Sequence, residues 1–302
     1  MRLVVPALLM LTGLVAGSGC YRDALGPEAD LVPATVLLTD APFPASLVAR
    51  VEVYVSQIAA SMTADTLPEA QRWVIVSEPR QRFDLLGLQQ GATALAGRGQ
   101  LETGRYRAVR MTLNGDSSRI ILHDGRTARV RWPAAGDVIV PAVVEQPIVI
   151  TGSGDTLVLD FDVGRSFVYN VDPLFDFVFV PALRAVRADS TGWLTGTVLG
   201  DADGDGVPQP IADAIVTVYR GNALASSATW WVVATGRTDG VGHYMVAYLP
   251  PGAYVVLLES PWSTRLAAIT MPDVLIRAGA GSRLDVTLPG VPAAGRAARS
   301  SR

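Results

Sequence analysis

The chain has 302 residues, a formal net charge of −3 and a hydrophobic fraction of 49%, enough apolar material for two domains with a core each. A mildly acidic chain lacks the basic surface of nucleic-acid-binding proteins, so we exclude nucleic acid as a partner. The only cysteine is Cys20, which excludes an intramolecular disulfide, a catalytic thiol in the body of the protein and a thiolate metal site. No lysine occurs, which excludes Schiff-base chemistry.

The N-terminus has the order of an export signal. Arg2 is followed by an apolar run over residues 3–16 and by small residues at 17–19, directly before Cys20. The run is too short to span a bilayer comfortably and suits the core of a signal peptide. The sequence therefore predicts a cleaved signal peptide over 1–19 and a tether over 20–33.

A cysteine straight after small residues resembles the lipobox of bacterial lipoproteins, although Gly17 stands where leucine or a similar residue is usual. The resemblance implies a lipid on Cys20 and a lipid-anchored protein of the cell envelope. Because Tyr21 replaces the aspartate that often retains lipoproteins in the inner membrane, we expect the outer membrane. The alternative is an ordinary signal peptide with a chance cysteine.

Residues 34–188 predict a first β domain. In residues 48–58 the valines at 51, 53 and 55 alternate with polar residues, which is the period of a half-buried strand. Asp124-Gly125 predicts a hairpin, Asp40 before Ala41-Pro42 predicts a turn, and residues 84–97 predict one short helix. The other predicted strands are 34–39, 73–76, 106–113, 119–122, 128–132, 157–161 and 177–186.

A polar break at 189–192 predicts a second domain over 192–289, because short strands follow at regular spacing. These strands are predicted at 193–199, 214–220, 229–235, 243–248, 253–259, 265–269 and 284–288. The fold class is therefore all-β, with two β-sandwich-type domains after a cleaved lipoprotein signal peptide. Residues 290–302, rich in Ala, Gly, Arg and Ser, predict a disordered tail.

Both domains resemble known families. The first carries LTDAP at 38–42, FDLL at 83–86, GRYR at 104–107 and LDFD at 159–162, and resembles the exported bacterial domain of unknown function 4382, which supplies no activity. The second carries GTV at 196–198, TDGVGHY at 238–244 and LPPGAY at 249–254, and resembles prealbumin-like sandwiches, namely carboxypeptidase regulatory-like domains and adhesin B-type repeats. That resemblance implies a spacer, an adhesive module or a stabilising appendage.

The strongest metal pattern is the alternation of Asp201, Asp203 and Asp205 with glycine at 204 and 206. Oxygen ligands at positions one, three and five with glycine at six suit calcium. Position twelve, which an EF-hand fills with glutamate, is Ala212, so we expect Asp213 and backbone carbonyls to complete the shell. The alternative is a solvated turn.

Two further groups could bind or react. Asp160 and Asp162 flank Phe161 and could perform acid/base chemistry, and the alternative is an ion pair with Arg165 and a turn. Trp230 and Trp231 are adjacent in a predicted strand, so one indole should leave the core and stack on a sugar, contact the first domain or remain on the surface. We favour contact with the first domain.

The sequence therefore predicts a membrane-anchored exported lipoprotein with a non-catalytic binding or structural role and with an envelope protein or a glycan as partner. Neither an HExxH nor a GxSxG motif occurs, and we predict no catalytic residue. The first alternative is a carbohydrate- or matrix-binding adhesin subunit, and the second is a hydrolase with its site near Asp160 and Asp162.

Overall fold

The structure is a computed structural model that describes residues 30–41, 48–63, 72–152, 154–170, 174–221, 229–261 and 265–291. Within these ranges the chain is almost entirely β, and its helical segments are short: α1 at Val163–Ser166 and 3₁₀ turns at Leu85–Leu88 and Ala188–Ser190. The predicted all-β class is confirmed. The predicted signal peptide, Cys20 and residues 292–302 of the predicted tail lie outside the described residues. The described part contains no helix with the length and hydropathy of a membrane span.

Fifteen strands, β1 to β15, build the described part of the first domain. Their apolar faces meet in one hydrophobic core drawn from residues 34–185, in which Val51, Val53 and Val55 are fully buried as the alternation predicts. The strands are Leu31–Ala41, Val48–Ser61, Val74–Ser77, Gln81–Asp84, Ala94–Glu102, Gly104–Tyr106, Ala108–Leu122, Thr127–Ala128, Val130–Arg131, Asp137–Ala142, Ile148–Ile150, Asp155–Asp162, Phe167–Tyr169, Phe177–Phe179 and Leu183–Arg187.

Two large sheets face each other in this domain. One has the order β15-β12-β1-β5, with β1 and β12 parallel, and the other has the order β10-β7-β2-β3. The sheets also meet at their edges: Ser77 Oγ of β3 donates to the Ala96 carbonyl of β5 at 3.1 Å, and Val143 after β10 exchanges backbone hydrogen bonds with Leu183 and Ala185 of β15. The edges of the two sheets are thereby joined at β3 and β5 and at β10 and β15, which limits unwanted pairing with other chains there.

Several local predictions are corrected. Residues 84–97 do not form one helix, because β4 ends at Asp84, a single 3₁₀ turn follows, and β5 already begins at Ala94. The predicted turn at Asp40 is wrong, since Asp40 lies inside β1 opposite Phe161 and is buried. Residues 177–186 form two strands rather than one. The hairpin at Asp124-Gly125 is confirmed, with Gly125 at φ +82° between β7 and β8.

The second domain contains β16 to β24. Its core, drawn from residues 194–288, is separate from that of the first domain and lies between the sheet β17-β16-β20, to which β23 and β24 add, and the sheet β19-β18-β21-β22. The strand predicted at 265–269 is wrong in position, because β22 begins only at Ile269. The strands are Gly192–Gly200, Gln209–Pro210, Ile215–Arg220, Trp231–Arg237, His243–Leu249, Gly252–Glu259, Ile269–Ile276, Gly281–Arg283 and Val286–Leu288.

Candidate functional site

Acidic side chains gather where the parallel strands β1 and β12 end against the second domain. The register pairs Thr39 with Asp160, Asp40 with Phe161 and Ala41 with Asp162, so that three carboxylates lie within a few residues of one sheet end. All three are buried. Because a buried charge is costly unless it is paired, the contacts of each carboxylate decide what this region, the seam between the two domains, can do.

Asp160 forms an ion pair with Arg184 of β15, with 2.6 Å between Oδ2 and Nη2. Both residues are more than nine-tenths buried. The remaining donors of Arg184 cross the seam, where Nη2 donates to the Ala247 carbonyl at 2.9 Å and Nη1 to the Tyr248 carbonyl. The planar guanidinium therefore donates hydrogen bonds both to a buried carboxylate and to two main-chain carbonyls of the second domain.

Asp162 is also held at the seam. Its Oδ1 accepts the backbone N–H of Arg165 at 2.9 Å and so caps α1, while its Oδ2 accepts the Thr235 hydroxyl of β19 at 3.0 Å. Burial raises the pKa of this carboxyl, against the lowering effect of the Arg165 amide. The sequence anticipated an ion pair with Arg165 for these aspartates, and the structure gives Asp160 the pair with Arg184 instead.

Asp40 is the least satisfied of the three. Its Oδ1 accepts the backbone N–H of Val163 at 3.0 Å, whereas its buried Oδ2 has no hydrogen-bond partner among the described residues. Burial raises the pKa of Asp40 well above its ordinary value, and the negative charges of Asp160 and Asp162 raise it further. Asp40 therefore favours the neutral, protonated form.

A cleft of about 310 Å³ opens beside these carboxylates, with walls from both domains. The first domain contributes Val143, Glu145, Asp162 and Arg165, and the second contributes Trp231 with the strand residues that follow it. Trp231 is 53% exposed. Interdomain clefts of this size with a few polar groups are common places for ligands.

One of the two adjacent tryptophans points away from the sandwich core, as predicted, but only Trp231 lies in the strand. Trp230 precedes β19 rather than lying in it, is half-buried, and packs on Tyr219 with 5.7 Å between ring centroids. Trp231 begins β19 and points out of the sandwich core into the cleft shared with the first domain. The outward indole and its place beside the first domain therefore follow the interpretation made from the sequence.

The acidic loop of the second domain brings together three of its four predicted ligands. Asp201, Asp203 and Asp205 each offer an oxygen within 4.8 Å of the others. The Asp201 carboxylate accepts the amides of residues 204 and 206. Desolvation acts to raise the pKa of Asp201, but these amide hydrogen bonds outweigh it and lower that pKa.

Asp213 does not join this group. Its Oδ1 lies 3.6 Å from Nη1 of Arg237, and its φ of +59° places it in a left-handed turn before β18. The predicted four-aspartate shell is therefore corrected to three side chains, and further oxygen ligands would have to come from carbonyls or water.

Two ion-paired arginines that no sequence motif singled out, Arg184 and Arg220, complete the seam. Arg184 holds it together, and Glu145 pairs with Arg220 of the second domain at 2.9 Å. The signal for Arg184 was available, since it is a single charge inside the apolar stretch 177–186, and a buried charge in a strand needs a partner. That partner could not be named without the tertiary structure.

Comparison with known proteins supports the first resemblance. Residues 33–179 match the family model described as "Domain of unknown function (DUF4382)". The predicted similarity of the first domain to this family is thereby confirmed. No curated protein matches the chain. The similarity of the second domain to carboxypeptidase regulatory-like domains stays a prediction.

Solved structures give only a distant likeness. The minor pilin GBS52 of Streptococcus agalactiae is 14% identical, with 87% of this chain and 98% of that chain covered and a TM-score of 0.26. The major pilin subunit BcpA of Bacillus cereus is 9% identical, with 86% and 71% covered and a TM-score of 0.23. TM-scores this low support no statement about function.

Proposed function

We propose that the chain is an exported lipoprotein, anchored in the cell envelope by a lipid on Cys20, that binds an envelope partner or glycan without catalysis. The observation that carries the binding role is the cleft at the seam, where the exposed indole of Trp231 faces polar groups of the first domain. The anchoring part rests on the N-terminal sequence and on the lipobox resemblance. The outer membrane is the proposed location, because Tyr21 follows Cys20.

The seam supports a preformed binding site. Among the described residues, the contacts that join the domains include Arg184 to two carbonyls, Asp162 to the Thr235 hydroxyl, and Glu145 to Arg220. The first-domain side of this set is buried at Asp162 and Arg184, and together the contacts hold the two cleft walls in one arrangement. Such a site loses little conformational entropy when a ligand enters, which favours affinity.

The contacts of the two aspartates argue against the hydrolase alternative. A general acid or base needs a carboxyl that can reach the substrate and exchange a proton. Asp160 is occupied by Arg184, and both oxygens of Asp162 accept hydrogen bonds from the protein. We therefore propose a non-catalytic role for the cleft.

The adhesin alternative is favoured by Trp231. An exposed indole in a cleft offers a flat apolar face for the ring of a sugar, whereas most large exposed apolar residues of this chain are aliphatic. A carbohydrate- or matrix-binding subunit is therefore the second candidate. It differs from the first in the identity of the ligand and not in the location of the site.

Photo-crosslinking in native envelopes tests the binding role. A photoreactive amino acid replaces Val143, which lines the cleft and is exposed, and the control replaces Ile75, which is similarly exposed but outside the cleft. We expect a crosslinked species at position 143 that the control lacks and that Trp231→Ala reduces. Identical crosslinks at both positions would remove the basis for a cleft ligand.

Metabolic labelling tests the anchor. A fatty-acid analogue should label the wild-type chain and leave Cys20→Ala unlabelled, because the sulfur of Cys20 is the only thiol available for acylation. Ser18→Ala serves as a control, since it keeps a small residue before the cysteine. Equal labelling of the wild type and Cys20→Ala would contradict the lipoprotein proposal.

We also propose that calcium binds the acidic loop. Three carboxylates with mutually close oxygens repel one another unless a cation screens them. The side-chain set is smaller than that of an EF-hand, so the expected dissociation constant is on the order of 10⁻⁴ to 10⁻³ M, as in extracellular modules. The role would be to stiffen the second domain.

A further inference from the structure

The charges that line the cleft are unequally paired. Glu145 is neutralised by Arg220 at 2.9 Å, and Asp160 is neutralised by Arg184 at 2.6 Å. Within the described part of the chain, the guanidinium of Arg165 has no ion pair, and the residue is exposed at the cleft. Arg165 is therefore the cleft charge that remains available to a ligand.

The remaining acid of the cleft, Asp162, forms no side-chain ion pair with this cation among the described residues. Both oxygens of Asp162 accept hydrogen bonds, one from the Arg165 backbone and one from Thr235. Burial raises the pKa of Asp162, although the Arg165 amide and the nearby positive charge of Arg165 lower it. Because both oxygens of Asp162 already accept protein hydrogen bonds, the exposed guanidinium of Arg165 can still donate to an incoming carboxylate.

The volume and the apolar walls of the cleft favour a ligand that contains a ring. The volume of about 310 Å³ is at the lower end of ligand pockets, which suits one or two ring-sized groups rather than a long peptide. Trp231 supplies a flat face, and Val143 and Pro181 supply apolar walls. A pyranose ring carries C–H groups on one face and hydroxyl groups at its rim, so it can pack on the indole while its polar groups reach Arg165 and the neighbouring oxygens.

We infer that the cleft binds a saccharide residue that carries a carboxylate, such as a uronic acid, with its ring on Trp231 and its carboxylate on Arg165. The inference rests on the proposed binding role of the cleft and adds the class of ligand. Arg165 is suited to this task because its planar guanidinium can donate two parallel hydrogen bonds to a carboxylate.

Titration calorimetry of the full chain in detergent tests the inference. The probes are a galacturonic acid trimer and the galactose trimer of the same linkage, which differ only in carboxylate against hydroxymethyl. We expect tighter binding of the acidic trimer and a loss of about tenfold or more with Arg165→Gln, the size of one charge-assisted interaction. Trp231→Ala should weaken both trimers.

Matched controls separate the cleft from the net charge. Arg80→Gln removes the same charge from an exposed pair with Glu78, and Tyr169→Ala removes an exposed aromatic ring outside the cleft. Neither variant should change the affinity. Rising salt should weaken the acidic trimer more than the neutral one, because an ionic contact is screened.

Three results would overturn the inference. The trimers could bind equally, Arg80→Gln could weaken binding as much as Arg165→Gln, or neither trimer could bind while crosslinking at position 143 captures a polypeptide. In the last case the binding role of the cleft survives and only the saccharide class fails. A chain with no cleft-specific crosslink and no trimer binding would instead lose the proposed function itself.

Discussion

Replacing Arg184 by methionine should separate the stability of the seam from that of the two cores. The variant Arg184→Met keeps an apolar stem and removes the guanidinium, leaving Asp160 buried without its partner and leaving the carbonyls of Ala247 and Tyr248 without their donor. Breaking a buried pair from one side costs about 3–5 kcal/mol. Because the free energy of unfolding of a folded domain is only about 5–15 kcal/mol, such a loss is large.

Urea unfolding of the full chain measures this loss. For the wild type, intrinsic fluorescence and circular dichroism should report coincident transitions. For Arg184→Met, the urea midpoint should be lower and the two domains should unfold in separate steps. The control Arg80→Met breaks an exposed pair, worth about 0–1 kcal/mol. The double variant Asp160→Asn with Arg184→Met should recover part of the stability, because no buried charge then lacks a partner. Equal midpoints for Arg184→Met and Arg80→Met would refute the reasoning.

Three further predictions follow from the buried acid, the acidic loop and one crowded glycine. The raised pKa of Asp40 means that its contribution to stability is present at pH values below its unfolded pKa and is lost as the pH rises through its folded pKa. The urea midpoint of the wild type should therefore fall as the pH rises from about 4. Asp40→Asn should remove part of this fall and stabilise the chain at neutral pH, and a pH profile unchanged by the substitution would contradict this. Millimolar calcium should raise the Tm of the full chain more than magnesium does, and the double variant Asp203→Ala and Asp205→Ala should not respond; the same Tm for the wild type in calcium and in chelator would exclude the metal. Gly99→Ala should cost about 1–3 kcal/mol because its Cβ would lie 1.9 Å from the Val76 carbonyl oxygen, whereas Gly87→Ala, with nothing within 4 Å, should cost little; equal midpoints for the two would be inconsistent with this close approach of β5 to β3.

The fold was predictable from the sequence where one local pattern decided the structure. The alternating valines of β2 and the Asp124-Gly125 hairpin needed only periodicity and turn chemistry, and both are confirmed. The helix over 84–97 failed because the apolar spacing of that segment serves a 3₁₀ turn and then a new strand. Short apolar stretches of this kind do not distinguish a helix from a buried turn.

The site was predictable only in part. The sequence singled out Asp160, Asp162 and Trp231, and the structure brings all three to one cleft. It did not reveal the partner of Asp160, because Arg184 follows it by 24 residues on a neighbouring strand. Asp40 was interpreted as a turn residue for the same reason: its burial depends on β12 and on the second domain, neither of which is local to it.

The position of β1 in its sheet has a consequence for how the chain reaches its folded state. β1 is an interior strand, flanked on one side by β5 and on the other by β12, and Ala34 finds its parallel partner Asp155 only after more than a hundred further residues. Pairings of such long sequence separation form slowly, since the closure entropy of the loop precedes the gain from the contacts. The backbone groups along one edge of β1 therefore remain unpaired until β12 has been synthesised and can pair with them. If the chain is exported as proposed, the central sheet cannot close before residues 155–162 are available to pair, a topology that favours transport in the unfolded state.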